Sequence, residues 1–369
     1  MIYLDHGATS FPKPGCVAGA VTRALFTCAN PGRGDHKAAM AAAKVVYDCR
    51  ERAGKMFGCD PEQVVFTSNC THGLNIAIRS LFRPGSRVVI SGFEHNAVTR
   101  PLHALNAKIT VAGRRLFDWT DTLSRFEDAL KQGVDGAVFT HASNVFGYVL
   151  PVEQLCGLCR HYKVPFVVDA AQSAGVLPVD LKRWGADFVA MPGHKGLLGP
   201  QGTGLLLCGG ETEPLLYGGT GSASIQQQMP QFLPDRLEAG TVNVPGIAGL
   251  GAALAYLQQY GIDKIGREER IQAQYCAKKL KNMGYRVFSG DHQCGTVSFV
   301  PDMDCEELAG QLGRHGIGVR AGLHCAPLAH ESAGTLDTGT VRLSFGYNAA
   351  PWQSRRFLEV MGELNGSRM

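Results

Sequence analysis

Short apolar runs recur between residues 64 and 208, and each run ends in small or polar residues. None of them alternates apolar with polar positions, so they are predicted to be strands buried on both faces. Segments with helical periodicity, such as residues 122–131 and 152–162, lie between most of the runs. Strands that alternate with helices indicate a mostly parallel sheet covered by crossover helices. The runs are VVFTS (64–68), RVVIS (87–91), GAVFT (136–140), PFVVD (165–169), DFVAM (187–191) and GLLLC (204–208).

The pattern changes after about residue 260, beyond the apolar helix predicted at 247–260. A charged helix is followed by short alternating strands (YRVFSG, GTVSFV), another helix, strand-like IGVRAG, TVRLSF and a final helix. A chain of 369 residues is long enough for two domains. We expect an N-terminal arm (1–15) near the active site and small domain, a large α/β domain (16–258) and a small α+β domain (259–369).

Composition excludes several classes of protein. The formal charge is +4 with no run of Lys and Arg, which argues against a nucleic-acid-binding protein. No stretch of about 18 apolar residues occurs, so no membrane span is predicted. The twelve cysteines are scattered, and the start, MIYLDHGATS, lacks the apolar core of a secretory signal. Reduced thiols in the cytoplasm are therefore expected rather than a disulfide framework.

Ligands of such a sheet bind beyond the carboxyl ends of the strands, where several polar residues follow the apolar runs. The segment TSNCTHGLN (67–75) opens a helix, and its small polar residues fit either an anion site or an ordinary N-cap. His95 follows the second run and Asn144 the third, while Asp169 ends the fourth. A carboxylate at the end of a buried strand is costly unless it meets a cation or hydrogen-bond donors.

Lys195 lies in the segment MPGHKGLLGPQGTG (191–204), which is not a P-loop because the order G-x-x-x-x-G-K-[ST] is absent. A lysine in a glycine-bounded apolar turn can have its amine pKa lowered by desolvation. Such an amine forms imines with aldehydes. A phosphate site, an aspartate for a ring nitrogen, a stacking ring (His95) and an imine-forming lysine together indicate a pyridoxal phosphate pocket.

With these motifs the sequence resembles the fold-type I pyridoxal phosphate enzymes of the class V aminotransferase group. More narrowly, it is similar to the cysteine desulfurase/selenocysteine lyase family. The resemblance implies a large domain with a mostly parallel seven-stranded sheet and a smaller C-terminal α+β domain. The matching segments are YLDHGATSFPKP, SNCTHGLN, EHNAV, HASNVFG, VDAAQS, GHKGLLGPQGTG, LEAGTVN, LHC and VRLSFGYN.

The resemblance implies a role for each matching position around pyridoxal 5′-phosphate. Lys195 would hold the cofactor covalently and shuttle a proton, Asp169 would pair with the ring nitrogen, and His95 would stack on the ring. Gln172 would bind near the ring hydroxyl. The remaining cofactor-binding positions would be Asn69, Cys70, Thr71 and His194 at the phosphate, Asn144, and Thr241, which would reach the phosphate of a neighbouring subunit in a homodimer.

On the substrate side, Arg342 would clamp the carboxylate of L-cysteine or L-selenocysteine, although pairing with a structural carboxylate is the other interpretation. Asn144, Arg320 and His36 would assist it. Arg33, Asp35 and His36 line the partner subunit's site or only shape a loop.

Cys325, in GVRAGLHCAPLAHE, matches the family's sulfur-accepting cysteine. Cysteine would be converted to alanine, leaving a persulfide on Cys325 for a sulfur-acceptor protein. The adjacent His324 would promote the thiolate. The short loop resembles the SUF-type (group II) enzymes.

Three positions depart from the family pattern, and two other functions remain open. Cys70, Pro192 and His72 replace residues that commonly contact or flank the phosphate. One alternative is a class V aminotransferase, lyase or epimerase in which Cys325 accepts no sulfur. The other is a cofactor-free cysteine hydrolase or binding subunit. No zinc-ligand spacing occurs, so no metal is expected, and Cys156 and Cys159 are interpreted as helix-packing residues.

Overall fold

The computed structural model describes residues 1–32 and 34–366. The strands are β1 (Ile2–Tyr3), β2 (Val64–Thr67), β3 (Arg87–Ser91), β4 (Lys108–Ala112), β5 (Gly136–Thr140), β6 (Phe166–Asp169), β7 (Phe188–Pro192), β8 (Gly204–Cys208), β9 (Arg286–Phe288), β10 (Thr296–Val300), β11 (Ile317–Gly318), β12 (Arg320–Gly322) and β13 (Thr340–Ser344). The α-helices are α1 (Gly15–Thr27), α2 (Lys37–Phe57), α3 (Cys70–Leu81), α4 (Asn96–Ala104), α5 (Trp119–Lys131), α6 (Val152–His161), α7 (Leu181–Trp184), α8 (Val244–Tyr260), α9 (Ile262–Asn282), α10 (Cys305–Arg314), α11 (Pro327–Ala333) and α12 (Pro351–Gly366).

Among the described residues, a seven-stranded sheet has the order β2-β8-β7-β6-β5-β3-β4. Only β8 runs against its neighbours, so the predicted mostly parallel sheet is confirmed. All six runs predicted from the sequence are strands. The sequence missed β4, an edge strand whose first three residues are exposed and which therefore lacks a buried apolar run.

The large sheet is buried on both faces because successive residues of its strands enter different cores. Val138 and Val167 pack on one face with helix α3, whereas Phe139 and Val168 pack on the other. The carboxyl ends of β5, β6 and β7 lie side by side, since these strands are parallel neighbours. This arrangement places the residues that follow them at one edge.

A second, antiparallel sheet has the order β12-β13-β10-β9 within the described chain. Its core contains residues of α9, α10 and α12, together with Ile2 and Leu4 from the N-terminus. Strand β1 also pairs in parallel with β11, so the first residues are tied to this C-terminal part. Ile265, beyond the predicted boundary at 258/259, packs in the core of the large sheet. The domain boundaries remain a prediction.

All twelve cysteines are free thiols. No helix in residues 1–32 and 34–366 is both long and apolar enough to cross a membrane.

Candidate active site

A cavity of about 510 Å³, open to solvent, lies beyond the carboxyl ends of β5, β6 and β7. It brings together nine of the cofactor-binding residues predicted from the sequence, which are distributed over 127 positions of the chain, from 69 to 195. Parallel strands ending at one edge explain this convergence. The nine are Asn69, Cys70, Thr71, His95, Asn144, Asp169, Gln172, His194 and Lys195.

Lys195 follows β7 on a tight turn. The turn is closed by hydrogen bonds from Gly193 N to Thr203 O (2.8 Å) and from Gly199 N to Gly193 O (2.7 Å). A Cβ at Gly193 would lie 2.1 Å from Thr203 Oγ1, so only glycine fits there. Desolvation and the nearby Arg342 lower the pKa of the Lys195 amine. The turn therefore presents an amine that is deprotonated more readily than that of a surface lysine.

Asp169 ends β6 with only 2% of its surface exposed. Its Oδ1 accepts hydrogen bonds from Ala171 N (2.8 Å) and from Cys70 Sγ (3.4 Å). Within the described residues it forms no ion pair, and burial raises its pKa. The Lys195 amine of the same cavity lowers the Asp169 pKa but forms no ion pair with it, so the carboxylate fits a ligand that brings a positive charge. The protonated ring nitrogen of pyridoxal phosphate is such a group.

The phosphate end of the predicted site is the N-terminus of α3. Asn69 caps this helix, accepting a hydrogen bond from His72 N (2.9 Å), and the cavity reaches Thr71 in the first turn. Free backbone N–H groups and the helix dipole make this end an anion site. His194 also borders the cavity; its Nδ1 lies 3.1 Å from Thr9 Oγ1, and burial lowers its pKa to about 4. His194 is therefore a neutral hydrogen-bonding partner for a phosphate.

The departures from the family pattern lie at different places. Pro192 lines the cavity, where it offers no N–H donor. His72 contacts Ser68 N through its Nδ1 (3.3 Å) and does not line the cavity. The thiol of Cys70 is directed to Asp169 and not to the phosphate contact that its sequence position suggests.

His95 caps α4 by accepting a hydrogen bond from Ala97 N at its Nδ1 (3.0 Å). Burial, with Lys195 nearby, lowers its pKa to about 4, so the ring is neutral and suited to stacking. The preceding residue, Glu94, was missed by the sequence analysis. It is fully buried, contacts Ser91 Oγ, and accepts a hydrogen bond from Thr140 N (2.9 Å). Burial raises its pKa to about 8, so Glu94 joins the ends of β3 and β5 as a neutral acid.

Cys325 is exposed at a groove next to the cavity. The groove is also lined by Thr71 and His95, which belong to the cavity wall, and by Arg100. The backbone at Cys325 is held in place, because Asn96 N donates to Cys325 O (2.8 Å). The sequence-predicted thiol and the sequence-predicted amine are thus connected by shared wall residues.

His324 does not have the role that the sequence suggested. Its Nε2 lies 3.2 Å from Thr340 Oγ1 in the interior, and the residue is 6% exposed. Burial and the nearby Arg342 lower its pKa to about 2. The expectation that His324 promotes the Cys325 thiolate is not met in this geometry, because the ring is buried and its Nε2 is directed at Thr340.

Arg342 is buried on β13 and both terminal nitrogens are engaged. Nη2 forms an ion pair with Asp5 Oδ1 (2.6 Å), and Nη1 donates to Asn144 O (2.9 Å). Arg320 Nη1 lies 3.8 Å from the other oxygen of Asp5, and its side chain is 47% exposed. Arg342 therefore pairs with a structural carboxylate, as the second of its two sequence-based interpretations predicts. The sequence analysis did not predict this role for Asp5. The only feature of the sequence that could have indicated it is the acidic residue in the motif YLDHGATS.

Gln172 lines the cavity, whereas Thr241 and His36 are not among its lining residues. Gln172 donates to Gly7 O (3.0 Å), which attaches the N-terminal arm to the cavity wall. Thr241 is exposed and lines two other depressions, one of them with Asn30 and Gly32. His36 is exposed, and its Nδ1 accepts a hydrogen bond from Ala39 N (3.3 Å) to cap α2. Arg33 lies outside the described residues.

No group of three or more His, Cys, Asp or Glu side chains in the described part of the chain is arranged to hold a metal ion. Cys156 and Cys159 are buried on α6.

The family model for aminotransferase class V matches residues 2–351. A "Probable cysteine desulfurase" of Methanothermobacter thermautotrophicus is 32% identical, over 99% of this chain and 95% of that protein. A "Cysteine desulfurase" of Haloferax volcanii is 30% identical, over 95% and 86%. The apo structure of a cysteine desulfurase from Thermococcus onnurineus NA1 superposes with a TM-score of 0.90 at 31% identity, covering 98% of this chain and 94% of that one.

These similarities extend over nearly the whole chain, and the cavity is lined by the Lys195 amine, the buried Asp169 carboxylate and the first residues of α3, groups whose chemistry fits the aldehyde, ring nitrogen and phosphate of pyridoxal phosphate. This chain therefore belongs to the pyridoxal phosphate-dependent aminotransferase class V family and, within it, to the cysteine desulfurases.

Proposed function

We propose that this protein converts L-cysteine to L-alanine and carries the released sulfur as a persulfide on Cys325. The observation that carries the proposal is the position of Cys325, an exposed thiol on a groove that shares Thr71 and His95 with the Lys195 cavity. An amine for the cofactor and a sulfur acceptor thus lie on connected surfaces. The relatives named cysteine desulfurases support the same reaction.

When bound, pyridoxal phosphate supplies an aldehyde carbon for amines and a ring that withdraws electrons from the substrate's α-carbon. Lys195 would be the amine for that aldehyde and the base that removes and returns a proton at the substrate Cα. Asp169 would hold positive charge at the ring nitrogen. The neutral rings of His95 and His194 would face the ring and the phosphate, and the N–H groups of α3 would bind the phosphate oxygens.

The substrate carboxylate is expected near Arg342 and Arg320. Arg320 is the more available of the two, because its side chain is 47% exposed and its contact with Asp5 spans 3.8 Å. Arg342 already binds Asp5 at 2.6 Å, so a bidentate clamp by Arg342 requires that this pair open.

Sulfur transfer needs no external oxidant. The bond between Cβ and sulfur in the substrate breaks, and its electron pair stays with carbon, which takes up a proton. A new S–S bond forms between that sulfur and the Sγ of Cys325. Carbon is reduced and sulfur oxidised by the same step, and the products are alanine and the persulfide.

We also infer a homodimer and a protein acceptor for the sulfur. Phe26, Tyr217 and Ile225 are 85%, 76% and 96% exposed, which is unusual for large apolar side chains unless a partner covers them. Thr241 is exposed at a depression lined by residues 30–32 and by residues between 219 and 242, together with Val46 and Arg50. A second subunit in this place would bring Thr241 and His36 toward the partner's cavity.

The exposed position of Cys325 supports delivery to an acceptor protein. Selenocysteine fits the same chemistry as a substrate.

The test incubates the reconstituted protein with L-cysteine and, separately, L-selenocysteine. Alanine release is measured, and the mass of the Cys325 peptide is determined without reductant. The wild-type protein should release alanine and gain one sulfur atom on Cys325.

Cys325→Ala should lose alanine release by at least 100-fold, since no acceptor remains for the sulfur, while Cys16→Ala, at another exposed thiol, should keep the full rate. A Cys325→Ala protein that still releases alanine at the full rate would overturn the persulfide mechanism.

A further inference from the structure

Cys70 is the first residue of α3 and is 8% exposed. Its side chain lies between the N-terminus of this helix and the end of β6. Its Sγ lies 3.4 Å from Asp169 Oδ1, which is hydrogen-bonding distance for a thiol donor. The contact joins a residue of the predicted phosphate-binding segment to the carboxylate that is predicted to pair with the ring nitrogen.

Asp169 has few other stabilising contacts. Its carboxylate receives one backbone hydrogen bond, from Ala171 N, and the nearby Lys195 amine also lowers its pKa, but it forms no ion pair within residues 1–32 and 34–366. A buried carboxylate in this setting depends on each remaining donor to stay ionised. The thiol of Cys70 is one of those donors.

The thiol itself stays protonated and so can only donate. Burial and the adjacent Asp169 both raise the Cys70 pKa well above its ordinary value. A thiolate at this position would face the carboxylate at 3.4 Å, which like-charge repulsion opposes. Cys70 is therefore a neutral S–H group directed at Asp169.

We propose that Cys70 is a positioning residue that keeps Asp169 ionised through its S–H hydrogen bond and thereby keeps the ring nitrogen of bound pyridoxal phosphate protonated. The proposal depends on cofactor binding but not on which amino acid the enzyme converts. It adds a role at the ring to a residue whose sequence position suggests only a phosphate contact.

The experiment reconstitutes the protein with pyridoxal phosphate labelled with ¹⁵N in the ring and follows the nitrogen chemical shift with pH, without substrate. In Cys70→Ala the carboxyl group holds the shared proton more strongly, so the ratio of protonated to unprotonated ring nitrogen should fall about tenfold and the low-pH end of the ¹⁵N titration should move toward the shift of an unprotonated ring. Cys70→Val, an apolar side chain of similar size, should shift the titration in the same direction and serves if the alanine variant does not fold.

Cys70→Ser is the matched control, because its hydroxyl keeps a donor at this position and should keep the wild-type titration. Cys208→Ala removes another buried thiol away from Asp169 and should also leave the titration unchanged. An unchanged ring titration in Cys70→Ala and Cys70→Val would overturn the proposal, as would a serine variant that shifts like the alanine variant. Since no substrate is present, these outcomes do not depend on whether the protein is a cysteine desulfurase.

Discussion

The ion pair between Asp5 and Arg342 connects the N-terminal arm to the small antiparallel sheet, and Asp5→Asn tests what it contributes. The atoms Asp5 Oδ1 and Arg342 Nη2 are 2.6 Å apart. The Arg342 side chain is 2% exposed and that of Asp5 is 17% exposed, so solvent screens the pair little. Arg320, 3.8 Å away, would be a second cation with no carboxylate after the substitution.

Removal of one partner from a buried ion pair costs about 3–5 kcal/mol. The lower end, about 3 kcal/mol, applies here because Asp5 is partly exposed and asparagine keeps one acceptor oxygen. An unfolding entropy of about 2.1 cal/mol/K per residue gives roughly 0.8 kcal/mol/K for this chain. The expected fall in the unfolding midpoint is therefore about 4 °C if the chain unfolds as one unit.

The assay is thermal unfolding of the cofactor-loaded protein, followed by circular dichroism at constant protein and cofactor concentration. Asp48→Asn is the control, because Asp48 forms an exposed pair with Lys44 at 3.0 Å. Exposed helical pairs contribute well under 1 kcal/mol, so the control midpoint should move by less than about 1 °C. If Asp5→Asn lowers the midpoint no more than Asp48→Asn does, the buried pair does not have the stabilising role inferred here.

Two further predictions concern pH. Desolvation and Arg342 lower the pKa of Lys195 from the ordinary lysine value of 10.5, so in cofactor-free protein the trapping of pyridoxal phosphate by borohydride on Lys195, mapped by mass spectrometry, should reach half its maximum below that pH; a midpoint at or above that pH would contradict the lowered pKa. Burial lowers the pKa of His141 to about 4, below the value of about 6.5 in the unfolded chain. The stability that the neutral His141 ring contributes is therefore fully present above pH 6.5 and is lost as the pH falls from 6.5 to 4. His141→Phe should make the decline of the unfolding midpoint across that interval shallower, and an unchanged slope would show that His141 is not the group that titrates.

The sequence predicted the central sheet and the convergence of the cofactor residues because both follow from local patterns. A short, continuous apolar run such as GAVFT is typical of a strand that is buried on both faces. Parallel strands place the residues that follow them at one edge of the sheet. Strand β4 was not predicted, because its exposed position at the sheet edge leaves no continuous apolar run in the sequence.

What the sequence could not predict is the direction of individual side chains. The burial of His324, the turn of the Cys70 thiol toward Asp169, and the pairing of Asp5 with Arg342 each depend on packing between segments far apart in the chain. Asp5 and Arg342 are separated by 337 positions, so no local pattern connects them. These long-range contacts, and not the local sequence, set the surroundings in which each of these side chains is charged or neutral.

Asn144 shows how such contacts join the two halves of the candidate site. Its side-chain Nδ2 donates to His324 O (2.7 Å), next to Cys325, while its own carbonyl accepts from Arg342 Nη1 (2.9 Å). One residue in the loop after β5 therefore fixes both the backbone next to the thiol proposed to accept sulfur and the arginine expected near the substrate carboxylate. Because Asn144 is itself buried and lines the Lys195 cavity, the amine, the arginine and the thiol are positioned relative to one common point. This geometry accounts for an amide at position 144, since only a side chain with an N–H donor can hold the His324 carbonyl while the backbone holds Arg342.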